Sequence, residues 1–195
     1  MASAATDSLV DQRVSVSQEP IYLTPSMLPN NPNETFREST FFKSNPNLPS
    51  PEEVRAQSRA HNVTFESMGP LVKWGPRFKI EEGQCLYAIR RDLRETVPVP
   101  EIYGWRTDGQ DVFLYMELID GQPLSKVWDS TDKEDLIRLC GELQVTLSNL
   151  RRLRQDPMDP FVGDIGRGGL YDRAIASHSL SDSGPFSSVK DFHDW

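Results

Sequence analysis

The chain has 195 residues, enough for one ordinary domain or for a small lobe with part of a second. Hydrophobic residues make up 37% and charged residues 26%, the balance of a soluble globular protein rather than a fully unstructured one. The formal net charge of −8 argues against a nucleic-acid partner, whose phosphates demand a basic face.

No apolar run approaches the roughly 20 residues that span a bilayer, so no membrane association is expected. Met1–Val10 lacks the basic start and apolar core of a signal peptide, and a cytoplasmic location follows by default. Two cysteines, Cys85 and Cys140, cannot build a disulfide framework. Both fall on apolar faces of predicted helices and read as small buried hydrophobes.

Residues 1 to about 33 are rich in Ser, Pro, Asn and Asp without sustained periodicity, and a disordered arm is assigned to 1–40. The next signal is a helix start: Ser50 can cap, Pro51 suits the first helical position, and Glu53 stands in capping-box register. Asn62–Trp74 alternates weakly around Val63, Phe65, Leu71 and Val72, with Met68-Gly69-Pro70 as the turn of a hairpin. Ile80–Arg94 has helical spacing through Leu86, Ile89 and Leu93, with Glu81 and Glu82 leading and Arg90 and Arg94 closing. Pro98 and Pro100 stop it.

A short strand is predicted at Ile102–Trp105, a turn at Thr107-Asp108-Gly109, and an apolar strand over Val112–Ile119 that ends at Asp120-Gly121. Thr131 followed by Glu134 reads as a second capping box, opening a long helix over Asp132–Arg154. Its stripe is Leu136, Leu139, Leu143, Leu147, Leu150 and Leu153. Gly and Ser dominate from Phe161 onwards, and a short helix restarts near Ser187–Trp195.

Four pieces in fixed order carry the chemistry. They are Lys73 on a short strand, a helix opening with Glu81 and Glu82, the Val97-Pro98-Val99-Pro100 break, and the strand Phe113–Ile119. Nucleotide phosphates need a cation of fixed position, and lysine is a flexible point charge that a glutamate on a neighbouring helix can hold. An adenine ring needs an apolar slot and edge hydrogen bonds, which the backbone after an apolar strand can supply. Singly each piece is weak; a strand lysine is most often a solvated edge residue.

From about Phe41 to Trp195 the chain resembles the fungal branch of the aminoglycoside phosphotransferase / choline kinase-like family, whose fold is protein kinase-like. The resemblance rests on LVKWG (Leu71–Gly75), EEGQCL (Glu81–Leu86), VPVPEIYGW (Val97–Trp105), VFLYMELIDGQPL (Val112–Leu124), WDS (Trp128–Ser130), LRRLRQ (Leu150–Gln155) and GPFSSVKDFHDW (Gly184–Trp195). It implies an α+β fold: a small antiparallel sheet plus helix at 41–120, then the start of a helical lobe at 121–195. It further implies ATP as ligand, Lys73 as the phosphate-binding lysine with Glu82 as its partner and Glu81 as the second choice, Met116 guarding the adenine pocket, and Glu117, Leu118 and Ile119 as the hinge.

The family's histidine–x–aspartate catalytic loop, and its later magnesium-binding aspartate, have no counterpart here. His61, His178 and His193 are each followed by the wrong residues. Asp164-Ile165-Gly166 imitates a metal-binding motif but reads as a plain loop. Between Phe65 and Lys73 only Gly69 stands where a glycine-rich lid would lie. A missing general base costs roughly 10² to 10⁴-fold in rate. The expectation is a truncated family member without appreciable kinase activity, with magnesium implied only alongside the absent lobe. The alternative is a non-catalytic nucleotide-binding or protein-interaction module. The stripe Leu136–Leu153, left bare, predicts self-association or a protein partner.

Overall fold

The computed structural model describes residues 19–57, 60–170 and 183–195. It is an α+β fold built on one five-stranded antiparallel sheet of order β2-β5-β6-β4-β3. The strands are β2 (Glu34–Thr35), β3 (Asn62–Thr64), β4 (Pro70–Gly75), β5 (Ile102–Asp108) and β6 (Asp111–Glu117). A separate parallel pair joins β1 (Ile21–Leu23) to β7 (Leu153–Gln155), in the register Ile21 to Leu153 and Leu23 to Gln155.

Alternation along the strands sorts the core into two layers. On one face Val72, Tyr103, Phe113 and Tyr115 pack with Val63, Phe65, Phe41 and Val54. Phe41 comes from a single 3-10 turn at Thr40–Lys43, and Val54 from α1 (Pro51–Gln57). On the other face Ile102, Trp105, Leu114 and Met116 pack with Leu71 and with Ile80, Leu86 and Tyr87 of α2 (Ile80–Leu93). Ile102 and Trp105 are three apart yet share a face because the register slips between Ile102 and Gly104. Gly104 sits at φ +154°, and a Cβ there would lie 2.4 Å from the Glu34 carbonyl oxygen, so this bulge requires glycine.

The first capping box forms as the sequence suggests. Glu53 N donates to Ser50 Oγ at 3.2 Å, and Ser50 N donates to Glu53 Oε2 at 2.7 Å. Beyond the sheet come a turn of helix α3 (Leu124–Val127), the long helix α4 (Lys133–Leu150), and α5 (Val189–Asp194), capped by Ser188 through the Asp191 amide. No described helix is long and apolar enough to cross a membrane.

Several expectations change. The arm assigned to 1–40 contains β1, β2 and the buried Phe36, because β2 pairs with β5 and Ile21 N donates to Arg152 O. Residues 1–18 of that arm lie outside the described residues. α4 starts one residue later than its expected cap: Asp132 accepts from Asp135 N, while the Thr131 hydroxyl donates to Val127 O. It ends at Leu150, and Leu153 belongs to β7 rather than to the helical stripe. Cys140 is exposed rather than buried, because α4 has no buried residue at all. Cys85 is partly buried.

Candidate functional site

Strand β4 places Lys73 opposite Leu114 of β6, on the face that α2 covers. Helix α2 brings two carboxylates to the same face through its first turn, where Glu81 and Glu82 complement the helix dipole. The Lys73 ammonium donates to Glu82 Oε1 at 2.6 Å. Their side chains keep 31% and 38% of their exposure, so solvent screens the pair and its contribution to stability is about 1 kcal/mol or less. Its consequence is positional: a flexible cation is fixed at one point on the sheet.

Helix α2 can approach the sheet this closely because its inner face is small. Gly83 and Ala88 are buried, and Gly83 rests on the Trp105 indole. Gln84, also buried, donates to Pro29 O at 2.8 Å and ties the segment after β1 to the same helix.

The expected adenine-binding residues divide in two. Met116 is 2% exposed, wedged in the α2-side core opposite Leu71 and Ile102. The Glu117 amide is already committed: it donates to Glu101 O at 2.8 Å, while the Glu117 carboxylate accepts from Glu101 N at 3.0 Å. Leu118 and Ile119 lie beyond the ladder, 45% and 58% exposed. Of the residues expected to form a hinge, these two present apolar surface and main chain at the end of the sheet. Across from them the β3–β4 connection is a tight turn in which Gly69, at φ +88°, donates to Phe65 O.

The loop after β7, read from the sequence as a plain loop rather than a metal-binding motif, touches α2. Asp164 Oδ2 lies 3.8 Å from the Lys79 ammonium, and a Cβ on Gly166 would meet Glu81 Cγ at 2.9 Å. The loop is tightly wound. Asp164 N donates to Gly168 O at 3.0 Å, Gly168 N returns a bond to Asp164 Oδ1 at 2.6 Å, and Arg167 takes φ +67°. The acids converge electrostatically. Burial pushes the Cys85 thiol above its ordinary range, and Asp164, Glu82 and Glu81 push it further in the same direction. The first turn of α2 is therefore acidic, with Lys73 of β4 held at Glu82 and Lys79, just before the helix, 3.8 Å from Asp164. The only sequence sign of this contact was the run Gly163, Gly166, Gly168, Gly169, whose spacing permits close backbone approach.

Chemically, Lys73 offers a positioned cation, and Leu118 and Ile119 offer exposed apolar surface beyond the end of β6. The arrangement offers no cage for a cation: no group of three His, Cys, Asp or Glu among the described residues is arranged to bind a metal ion. His61 is a structural residue, its Nδ1 lying 3.1 Å from Trp74 O and its ring beside Gly75. His193 sits on α5 among aromatic rings, 5.7 Å from Phe192. His178 lies outside the described residues. No protein-family model matches the chain, and no curated protein or solved structure matches it.

Proposed function

We propose that this chain carries the nucleotide-gripping lobe of a protein kinase-like phosphotransferase of the aminoglycoside phosphotransferase / choline kinase-like type, with ATP as its ligand. The observation that carries the reading is the Lys73–Glu82 pair at 2.6 Å, joining a sheet strand to the helix that covers it. A lysine held this way can meet the α- and β-phosphates without losing much side-chain freedom on binding. Leu118 and Ile119 provide the apolar edge against which a purine would stack.

Binding, not transfer, is the activity this set of residues supports. A phosphoryl donor site needs a base aimed at the acceptor hydroxyl and carboxylates for magnesium. Asp164 Oδ1 accepts from Gly168 N, while Oδ2, 3.8 Å from the Lys79 ammonium, accepts no hydrogen bond among the described residues. Isothermal titration with ATP, with and without magnesium, tests the reading. Wild-type protein binds ATP in the micromolar to millimolar range, and both Lys73→Ala and Glu82→Ala weaken it at least tenfold. Absence of binding at several millimolar ATP, or binding unchanged in Lys73→Ala, overturns it.

A second reading, a protein-interaction module, is favoured by α4. Ile137, Leu143, Val145 and Leu147 are all exposed on a helix with no buried residue. The two readings concern different surfaces and can hold together.

A further inference from the structure

The apolar face of α4 has the period of a coiled-coil seam. Cys140, Leu143 and Leu147, all exposed, follow the alternating three- and four-residue spacing that keeps one stripe towards a neighbouring helix. Leu136 and Leu150, both half-buried, extend the stripe to two heptads, and Ile137 flanks it at 63% exposure. Val145 falls outside it.

The charges are divided between the ends of this helix. Its approach and first turn, Asp129–Asp135, hold four acids against one cation, Lys133, while its exit, Arg151–Gln155, holds three arginines and no acid. Widening these windows to 126–135 and 151–160 leaves net charges of −2 and +1, so the opposition holds. Between the ends the charged residues are Arg138 and Glu142, 4.0 Å apart. Some of the end charges are used locally: Asp132 caps the helix, Arg138 holds Asp135 at 2.7 Å, and Arg152 donates to Glu19 O. Asp129, Glu134, Arg151 and Arg154 are exposed, and no hydrogen bond or ion pair engages their side chains among the described residues. Acids first and bases last complement the helix dipole. The same order makes the helix complementary to a reversed copy of itself, and repulsive at both ends to a parallel copy.

We infer that the partner of α4 is a second copy of this chain, the two helices packing antiparallel along the Cys140–Leu143–Leu147 seam with the acidic end of each against the basic end of the other. The inference rests on the reading of α4 as a protein-binding surface and adds the partner and its direction. Such a contact is isologous and closes as a two-fold dimer rather than an open chain. The 18 residues of α4 make a helix about 27 Å long, so a dimer held by this seam is weak and reversible.

Sedimentation of the full chain at low and high salt tests the pairing. Wild-type protein dimerises at low salt with a dissociation constant in the micromolar to submillimolar range, and added salt weakens the dimer. Leu143→Lys with Leu147→Lys abolishes it. Arg151→Gln with Arg154→Gln weakens it roughly fivefold or more, whereas Arg151→Lys with Arg154→Lys keeps it. All four positions are exposed, so these variants keep the wild-type melting temperature. Neutralising the basic end would tighten a parallel dimer, so the sign of the glutamine effect decides the direction. Dimers that the leucine substitutions break, but that the glutamine substitutions leave alone or tighten, overturn the antiparallel pairing while α4 stands as a contact surface. A wild type that stays monomeric at hundreds of micromolar removes both, as do dimers that survive the leucine substitutions.

Discussion

Gly83 lies so close to the Trp105 indole that a Cβ at this position would come within 2.7 Å of the ring carbon Cε3. Trp105 cannot yield. It is fully buried, its Nε1 donates to Asn31 O at 2.8 Å, and Phe36 stands edge-on at 5.4 Å. Gly83→Ala gains about 1 kcal/mol of helix propensity but overpacks a rigid contact at about 1–3 kcal/mol. The expected net loss is about 0–2 kcal/mol, read as a lower urea midpoint at unchanged slope. Where ATP binds wild-type protein, its affinity is expected to fall as well, because α2 carries Glu82.

The loop clasp on α2 makes a second prediction. A Cβ on Gly168 would press within 2.5 Å of Asp164 Oδ2, so Gly168→Ala displaces the carboxylate from Lys79. Asp164→Asn removes its charge. Both variants are expected to speed hydrogen exchange in the first turn of α2 while leaving β5 and β6 protected. Where ATP binds wild-type protein, they weaken it roughly tenfold through misplacement of Glu82. Unchanged exchange in α2 means that the loop merely rests there.

Tyr115 is fully buried and its hydroxyl finds no hydrogen-bond partner among the described residues. Removing a buried unsatisfied hydroxyl while keeping the ring relieves a penalty of about 1–3 kcal/mol. Tyr115→Phe is therefore expected to stabilise the protein by about 1 kcal/mol in urea unfolding. Burial, only partly opposed by the nearby Arg106, raises the hydroxyl well above its ordinary range. The unfolded chain releases this proton near pH ~10 and the folded chain does not, so stability falls as pH rises past that point. Tyr115→Phe abolishes this alkaline contribution.

The two thiols should separate cleanly. Burial, reinforced by Asp164, Glu82 and Glu81, keeps Cys85 protonated at pH 8, while Cys140 is exposed. A disulfide reagent is expected to label Cys140 at least tenfold faster than Cys85 in the native state, and both alike in urea. Similar native rates mean that the first turn of α2 opens readily.

The bare face of α4 predicts association. Light scattering is expected to show dimers or larger species at high protein concentration. Leu143→Lys with Leu147→Lys restores a monomer and leaves the melting temperature within a few degrees. A monomeric wild type at the same concentration removes α4 as an interface.

What could be read from residues alone follows the range of the interactions. The Ser50–Glu53 cap and the ends of α2 depend on neighbours within a turn, and the sequence carries them openly. The cap of α4 went to Asp132 because two adjacent residues could each serve, and Thr131 instead bonds backward to Val127. In the candidate site, the nearness of Lys73 to Glu82 was legible because strand, turn and helix follow one another directly. The commitment of the Glu117 amide to Glu101 was not, since it arises from pairing across the β5–β6 hairpin. Still less legible was the contact of Gly166 with Glu81, where a distant loop folds back and leaves only glycines as its mark.

The parallel joining of β1 to β7 has a consequence for assembly. Arg152 reaches back to the Glu19 carbonyl across 133 residues of chain, whereas the hairpins of the main sheet close over short spans. During synthesis the antiparallel sheet can form while Ile21–Leu23 still waits for its neighbour to leave the ribosome. Ile21–Leu23 is thus locked in after the hairpins of the main sheet, once Leu153–Gln155 is available.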